Sequence, residues 1–262
     1  MTIIASWNVN SVRARIDNIT AWLDETKPDI ALLQEIKVQT DSFPQEPFDT
    51  LGYNLAVLGQ KSYNGVAILS KAPIHDVMEG LPGDDSDEQA RYLEAEINGF
   101  RVATIYLPNG NPPGSADEHS EKYSYKLNWM KRLRDRVETL LADDVPFILG
   151  GDYNVIPAEE DAADIKAWLN DALYLPPTRQ AFRSLLNLGL TDAFRAINQA
   201  AGQYTFWDYQ AGAWQRDNGI RIDHFLLSPA MTDRLQNCWI DRKPRGEPKA
   251  SDHTPILVEI AD

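Results

Sequence analysis

Short apolar runs punctuate the whole chain. Nine of them read as strands: "TIIASW" (2–7), "DIALLQ" (29–34), "YNLAVL" (53–58), "GVAILS" (65–70), "RYLEAEI" (91–97), "RVATIYL" (101–107), "PFILGG" (146–151), "RIDHFLLS" (221–228) and "PILVEI" (255–260). They are rich in β-branched and aromatic residues and are bounded by Gly, Pro, Asn or Asp. Helical spacing separates them. Ile16, Ile19 and Leu23 make one stripe within residues 13–27, and Leu127, Met130, Leu133, Val137 and Leu140 make another within 120–142. A third helix is expected from Thr178 to Leu188, ending at Gly189. Strand pairs with helices between them predict a mixed α/β protein, with helices packed outside sheets. No Pro/Gly/Ser-rich linker divides the chain, so one domain spanning 1–262 is expected.

Composition narrows the class. The chain has 262 residues, 43% hydrophobic and 24% charged, which suits a globular core and argues against global disorder. Cys238 is the only cysteine, which excludes an internal disulfide and a cysteine-rich zinc site. No stretch approaches the ~20 apolar residues of a membrane span, and the amino terminus reaches Asn8 and Asn10 too early for a signal sequence. The expected location is a bacterial-type cytoplasm. The net charge of −14 weighs against polyanionic partners. Distribution counts for more than the sum, because screening at ~0.15 M salt leaves only charges within about 8 Å effective. "DRKPRGEPKASDH" gathers Arg242, Lys243, Arg245 and Lys249 in one loop, whereas "GDDSDE" (83–88) reads as a solvated acidic loop.

The chemistry lies where the apolar runs end. "ILGGDYNVIP" breaks at two glycines and presents Asp152 and Asn154, which an extended backbone would place on one face. A plain polar turn would use the same residues. The pattern recurs. Asn8 follows the first strand, Glu35 the second, Asp223 lies on a late strand, and Asp252 and His253 precede the last. Glu35 and Asp252 are hard oxygen ligands of the kind that Mg²⁺ or Mn²⁺ accepts. Asn8, Asn154 and a protonated His253 can donate to phosphate oxygens, Asp152 can activate water, and Asp223 can hold the His253 ring. An Asp near its ordinary pKa of about 3.9 is a weak base, so its surroundings must raise that value or couple it to metal-bound water. Two loops are long: "LPNGNPPGSADEHSEK", and "FWDYQAGAWQRDNG" with Phe206, Trp207, Tyr209 and Trp214. Aromatics beside basic residues suit base stacking, or they cap the edge of a core.

Together "SWNVNSVRAR", "LLQEIKV", "YLPNG", "GDYN", "FWDY", "RIDHFLLS" and "SDHTP" resemble, in order and spacing, the exonuclease III family of abasic-site endonucleases. That family lies within the endonuclease/exonuclease/phosphatase superfamily. The resemblance implies a four-layered α/β sandwich of DNase I type, two packed mixed sheets flanked by helices with the site at one end. It implies Mg²⁺- or Mn²⁺-dependent hydrolysis of the phosphodiester 5′ to an abasic site in duplex DNA, leaving a 3′-hydroxyl, with 3′→5′ exonuclease and removal of 3′ blocking groups. Carried over by motif, the metal residues are Glu35 with Asn8 and Asp252, and Asp152, Asn154 and His253 face the same ion. Catalysis falls to Asp152, Asn154, His253, Asp223 and Tyr106. Arg91, Asn109, His253 and Trp207 face DNA, and Phe206, Trp207 and Leu226 wall a pocket for the bare sugar. A monomer is the default expectation. The segment "EEDAADIKAWLNDALYLPPTRQAFRSL" departs from the family pattern, so DNA contacts there do not carry over. A phosphoesterase of inositol phosphates or sphingolipid head groups would share Glu35, Asp152, Asn154, Asp252 and His253 without needing the aromatic loop. A catalytically dead binding module would have lost some of these positions.

Overall fold

The computed structural model describes residues 1–115 and 118–262; residues 116 and 117, in the first long loop, lie outside the described residues. Twelve strands form among the described residues. They are β1 (Thr2–Asn8), β2 (Ile30–Gln34), β3 (Asn54–Leu58), β4 (Val66–Ser70), β5 (His75–Glu79), β6 (Tyr92–Ile97), β7 (Phe100–Tyr106), β8 (Phe147–Asp152), β9 (Thr191–Asp192), β10 (Asp223–Leu227), β11 (Leu235–Ile240) and β12 (Ile256–Ile260). The helices are α1 (Ile16–Thr26), α2 (Glu46–Thr50), α3 (Glu121–Ala142), α4 (Pro176–Leu186), α5 (Ala193–Ile197) and α6 (Pro229–Thr232). All nine apolar runs are strands. The three strands not anticipated, β5, β9 and β11, all lie at sheet edges, and β5 and β11 carry register shifts.

Two six-stranded sheets result, ordered β11-β12-β1-β2-β4-β3 and β5-β6-β7-β8-β10-β9. Ile4, Leu32 and Ile68 of the first sheet pack against Leu93, Val102, Ile148 and Phe225 of the second. The outer face of the first sheet, with Trp7, Ala31 and Leu69, is covered by Ile19, Trp22 and Leu23 of α1. The outer face of the second, with Ala103 and Ile105, is covered by Trp129, Met130 and Leu133 of α3 and Phe182 of α4. This is the four-layered sandwich. Because both faces of each sheet are covered, the strands read as continuous apolar runs rather than alternating ones.

Helix ends follow local chemistry. The Ser120 Oγ accepts the Tyr123 N–H at the start of α3. α4 opens at Pro176, two residues before the expected start, since proline suits the first turn. The α3 stripe shifts as well: Tyr123, Lys126 and Trp129 are buried, and Leu127 is only half-buried. Among the described residues no helix is long and apolar enough to cross a membrane.

Topology gathers the polar strand ends. β1 runs parallel to β2, with Asn8 beside Gln34, and β7 parallel to β8, with Tyr106 beside Asp152. β10 is antiparallel to β8, placing Asp223 opposite Asp152, and β12 is antiparallel to β1. Four carboxyl ends and two amino ends therefore meet at one edge of the sandwich. The two glycines of "GGDYN" serve packing. A Cβ on Gly150 would lie 2.4 Å from the Phe225 ring and 2.8 Å from Leu32 of the opposite sheet, and one on Gly151 would lie 2.0 Å from the Ile105 carbonyl oxygen.

Candidate active site

The backbone bends sharply where the strands end. Asn10, Ser11, Glu35, Lys37 and Asn154 all have φ between 45° and 92°, a left-handed region that costs non-glycine residues energy and clusters at functional sites. β8 stops at Asp152, and Asn154 is not extended. Instead its N–H donates to Asp152 Oδ1 at 2.9 Å. "GDYN" is thus a polar turn, and the turn itself brings the two side chains together, with Asn154 Nδ2 also 3.3 Å from Asp152 Oδ2.

Asn8 joins the sheets. Its fully buried Nδ2 donates to Glu35 Oε1 at 2.9 Å and to Asp152 Oδ2 at 3.0 Å. Across the cleft His253 Nε2 lies 3.7 Å from Asp152 Oδ2, and its Nδ1 is 2.9 Å from Asp223 Oδ2. The His253 loop is pinned from below, with Ser251 Oγ donating to the Asn8 carbonyl at 2.7 Å and Trp7 Nε1 to the His253 carbonyl at 3.2 Å. Asn154 Nδ2 donates to the Leu107 carbonyl at 2.9 Å, and its Oδ1 accepts from Asn109 at 3.1 Å.

Burial sets the proton affinities. Asp152 is raised to about 7, first by burial and then by the nearby Asp223 and Glu35 carboxylates, against the pull of His253. Burial alone would lower His253, but the Asp223 and Asp152 carboxylates outweigh it and raise the ring to about 10. The imidazolium is therefore the neutral-pH form. Burial pushes Glu35 up, yet hydrogen bonds from Asn8 and Lys37 more than compensate and hold it below the usual value. Tyr106 is driven well above 10 by burial and by the Glu35 charge, so it keeps its proton. The Arg91 guanidinium lies 4.6 Å over its ring.

Glu35, Asp152 and His253 bring one ligand atom each within 4.8 Å of one another. A protonated His253 is a donor rather than a ligand, which leaves the two carboxylates. They fit a divalent cation: hard oxygens from opposite sheets, converging on one amide. The two asparagines expected at the metal are held by hydrogen bonds. Amides bind cations through oxygen, and the Asn8 Oδ1 accepts the Asn10 N–H while the Asn154 Oδ1 accepts from Asn109. Both amides hold carboxylates or loops through Nδ2, and each Oδ1 keeps a second lone pair. Asp252 stands apart from the cluster, bonded to Asn10 Nδ2 at 3.0 Å.

The pocket walls are corrected. Trp207 is fully buried, its Nε1 donating to Asp217 at 3.0 Å, and Leu226 belongs to the core behind β10. Neither ring nor side chain faces the cleft. The apolar surface beside His253 is Phe206, whose ring centroid lies 5.0 Å from the imidazole, backed by Ile220 and Ile222. A recess of about 210 Å³ next to it is lined by Trp168, Phe206 and Ile220. Three site residues were missed. Asn10 and Lys37 lie two positions beyond Asn8 and Glu35, the same spacing that singled out Asn154, and Lys37 Nζ bonds Glu35 at 2.8 Å and Asn10 at 2.6 Å. Lys126 is buried under the site and donates to the carbonyls of Asn154 at 2.6 Å and Asn109 at 3.0 Å. A lysine on an apolar helical stripe was its signal.

A family model described as "Endonuclease/Exonuclease/phosphatase family" matches residues 5–253. The chain belongs to this family. It is 33% identical to Exodeoxyribonuclease III of Haemophilus influenzae over 264 residues, covering 97% of this chain and 98% of that protein. Among solved structures, the 3′ phosphatase NExo from Neisseria bound to product DNA hairpin superposes with a TM-score of 0.95 at 36% identity, covering all of both chains. An AP endonuclease from Archaeoglobus fulgidus superposes with a TM-score of 0.93 at 37% identity, again over all of both chains. These likenesses favour a DNA-repair nuclease over a phosphoesterase of inositol phosphates or sphingolipid head groups.

Proposed function

We propose that the chain is a divalent-metal-dependent DNA-repair phosphodiesterase that cleaves 5′ to abasic sites and clears blocked 3′ ends. One observation carries the reading. A buried Asp152, near neutral in pKa, is held between Asn8, Asn154 and an imidazolium that Asp223 keeps charged. A base poised near 7 facing a fixed cationic donor suits attack of water on a phosphodiester.

Asp152 accepts a proton from the attacking water as the new P–O bond forms. His253, donating through Nε2, stabilises the charge that grows on the phosphoryl oxygens, and the Asn109–Asn154 pair lines the same wall. The bond to the preceding nucleotide's O3′ then breaks, O3′ takes up a proton from solvent, and a 3′-hydroxyl and a 5′-phosphate remain. Tyr106 retains its proton and donates to the phosphate. Glu35 and Asp152 would hold Mg²⁺ or Mn²⁺, which supplies Lewis-acid stabilisation of the same charge. The site is complete within one chain, so its chemistry needs no second copy, and the reading is of a monomer acting on DNA in the cytoplasm.

Selectivity follows from shape. A nucleotide without a base costs little to flip from the stack, and Phe206 with Ile220 offers an apolar surface beside His253 for the bare sugar. Incision of a labelled duplex carrying one abasic analogue, alongside a duplex ending in 3′-phosphate, tests this with Mg²⁺ and with EDTA. Metal-dependent cutting that Glu35→Ala abolishes supports it. Failure of folded wild type to act on either duplex with Mg²⁺ or Mn²⁺ overturns it.

A further inference from the structure

Beside the acidic centre is a recess of about 470 Å³ lined by Arg15, Tyr209, Arg245, Glu247 and Lys249 among others. Three cations face a single carboxylate there. Among the described residues, none of the three is within ion-pair distance of a carboxylate, although the neighbouring Lys37, Arg242 and Lys243 are all paired. The chain carries 39 acidic and 25 basic residues, so a trio of cations with no paired carboxylate runs against its charge balance.

The cations are built in rather than trailing in solvent. Arg245 is only 8% exposed; its Nη2 donates to the Trp207 carbonyl at 3.0 Å and its Nε has no partner. Its guanidinium sits 5.4 Å over the Tyr209 ring and 5.5 Å over Trp214. Arg15 Nη2 donates to the Tyr209 hydroxyl at 3.0 Å, Nη1 donates to the Asn10 carbonyl, and its buried Nε is also unpartnered. Lys249 adds an exposed charge on a left-handed residue. A buried guanidinium lacking an anion is costly, and burial accordingly lowers the proton affinity of Arg245.

We infer that this recess is a second phosphate subsite, which takes a backbone phosphate of the DNA strand flanking the bond that is cut. The inference rests on the DNA-nuclease reading proposed above. Planar guanidinium groups match phosphate oxygens, and a lysine adds a point charge. Continuity with the reaction centre comes through Asn10, which touches the Tyr209 hydroxyl at 3.3 Å and Asp252 at 3.0 Å. One strand can therefore lie across both. A polyanion reaching this face of a protein with a net charge of −14 meets its cations first where they are unpaired.

The test is fluorescence anisotropy of a labelled duplex in EDTA, where nothing is cut, across a range of salt, for wild type, Lys249→Gln, Arg15→Gln and Lys249→Arg. Thermal melting of each variant controls for folding. Loss of one phosphate contact weakens binding roughly three- to tenfold and reduces the slope of log K against log salt by about one. Both glutamine variants are expected to show this, with Lys249→Arg near wild type. Wild-type affinity and slope in both glutamine variants would overturn the assignment. Titration with inorganic phosphate separates the sources: a free-phosphate site lost in the variants while duplex binding is unchanged also overturns it. Wild type that neither binds nor cuts duplex overturns the nuclease reading, and this inference with it.

Discussion

Replacing Lys126 by Met sets two buried costs against each other, and pH decides between them. The lysine is fully buried and its amine is lowered to about 7 by that burial, against the pull of Asp171 and Asp152. It donates to two carbonyls, at 2.6 and 3.0 Å. A neutral amine has two hydrogens, enough for both, so deprotonation forfeits neither bond. Removing the amine leaves the buried Asn154 carbonyl unpaired, at about 1–3 kcal/mol, while the Asn109 carbonyl, at a part-buried contact, costs less. Keeping it costs a proton that must be shed or buried below the unfolded pKa near 10.4. With the folded pKa below the unfolded one, the unfolded state binds more protons in between, and wild-type stability rises with pH through that window by up to about 1.4 kcal/mol per unit. Methionine has no such dependence. The destabilisation by Lys126→Met should thus grow by about 3 kcal/mol from about pH 7.5 to 9.5. Urea unfolding in EDTA, followed by far-UV circular dichroism at several pH values, measures it. A difference that is flat across that range would refute the reasoning, showing that the amine stays charged throughout.

Three further outcomes are expected. Glu35→Gln keeps the Asn8 contact but removes a ligand charge, so Mg²⁺-dependent cleavage should fall by at least about 100-fold, with calorimetry showing weaker Mg²⁺ binding; unchanged binding would place the ion elsewhere. Asp223→Asn withdraws one of the charges that raise His253, so the alkaline limb of the pH–rate profile should move to lower pH and kcat should drop roughly 10- to 1000-fold; an unmoved limb would remove the imidazolium from the mechanism. Gly150→Ala forces a methyl group to within 2.4 Å of Phe225 on the neighbouring strand and 2.8 Å of Leu32 on the opposite sheet, at a cost of about 1–3 kcal/mol in chemical denaturation, and an unchanged midpoint would contradict the close packing there.

Apolar runs revealed the strands because most of them are buried on both faces. β5, "HDVME", was hidden because it is a largely exposed edge strand whose polar residues resemble a loop. β9 is two residues long, and β11 mixes exposed Gln236 and Asn237 with buried Cys238. The acidic site was legible from side chains recurring at strand ends, and Asp152 and Asn154 meet as expected, though through a turn rather than an extended strand. Misreadings came where exposure was assumed from neighbours. Trp207 sits among polar loop residues in sequence, yet Trp214 and Tyr204 enclose it. Which aromatic of "FWDY" faces the cleft depends on pairing of Phe206 with Ile220 and His253, contacts between distant parts of the chain.

The Asn8 amide, placed between Glu35 of one sheet and Asp152 of the other, makes the reaction centre a seam. Like charges gathered at a seam push its sides apart, so a cation that quiets them also rivets the sandwich shut. Fold and chemistry then draw on a common supply: at an ion concentration 100 times its dissociation constant the folded state gains about 2.7 kcal/mol over the unfolded one. Starved of metal, the molecule would be not merely idle but looser, its turnover by proteases tied to the same scarcity that silences it.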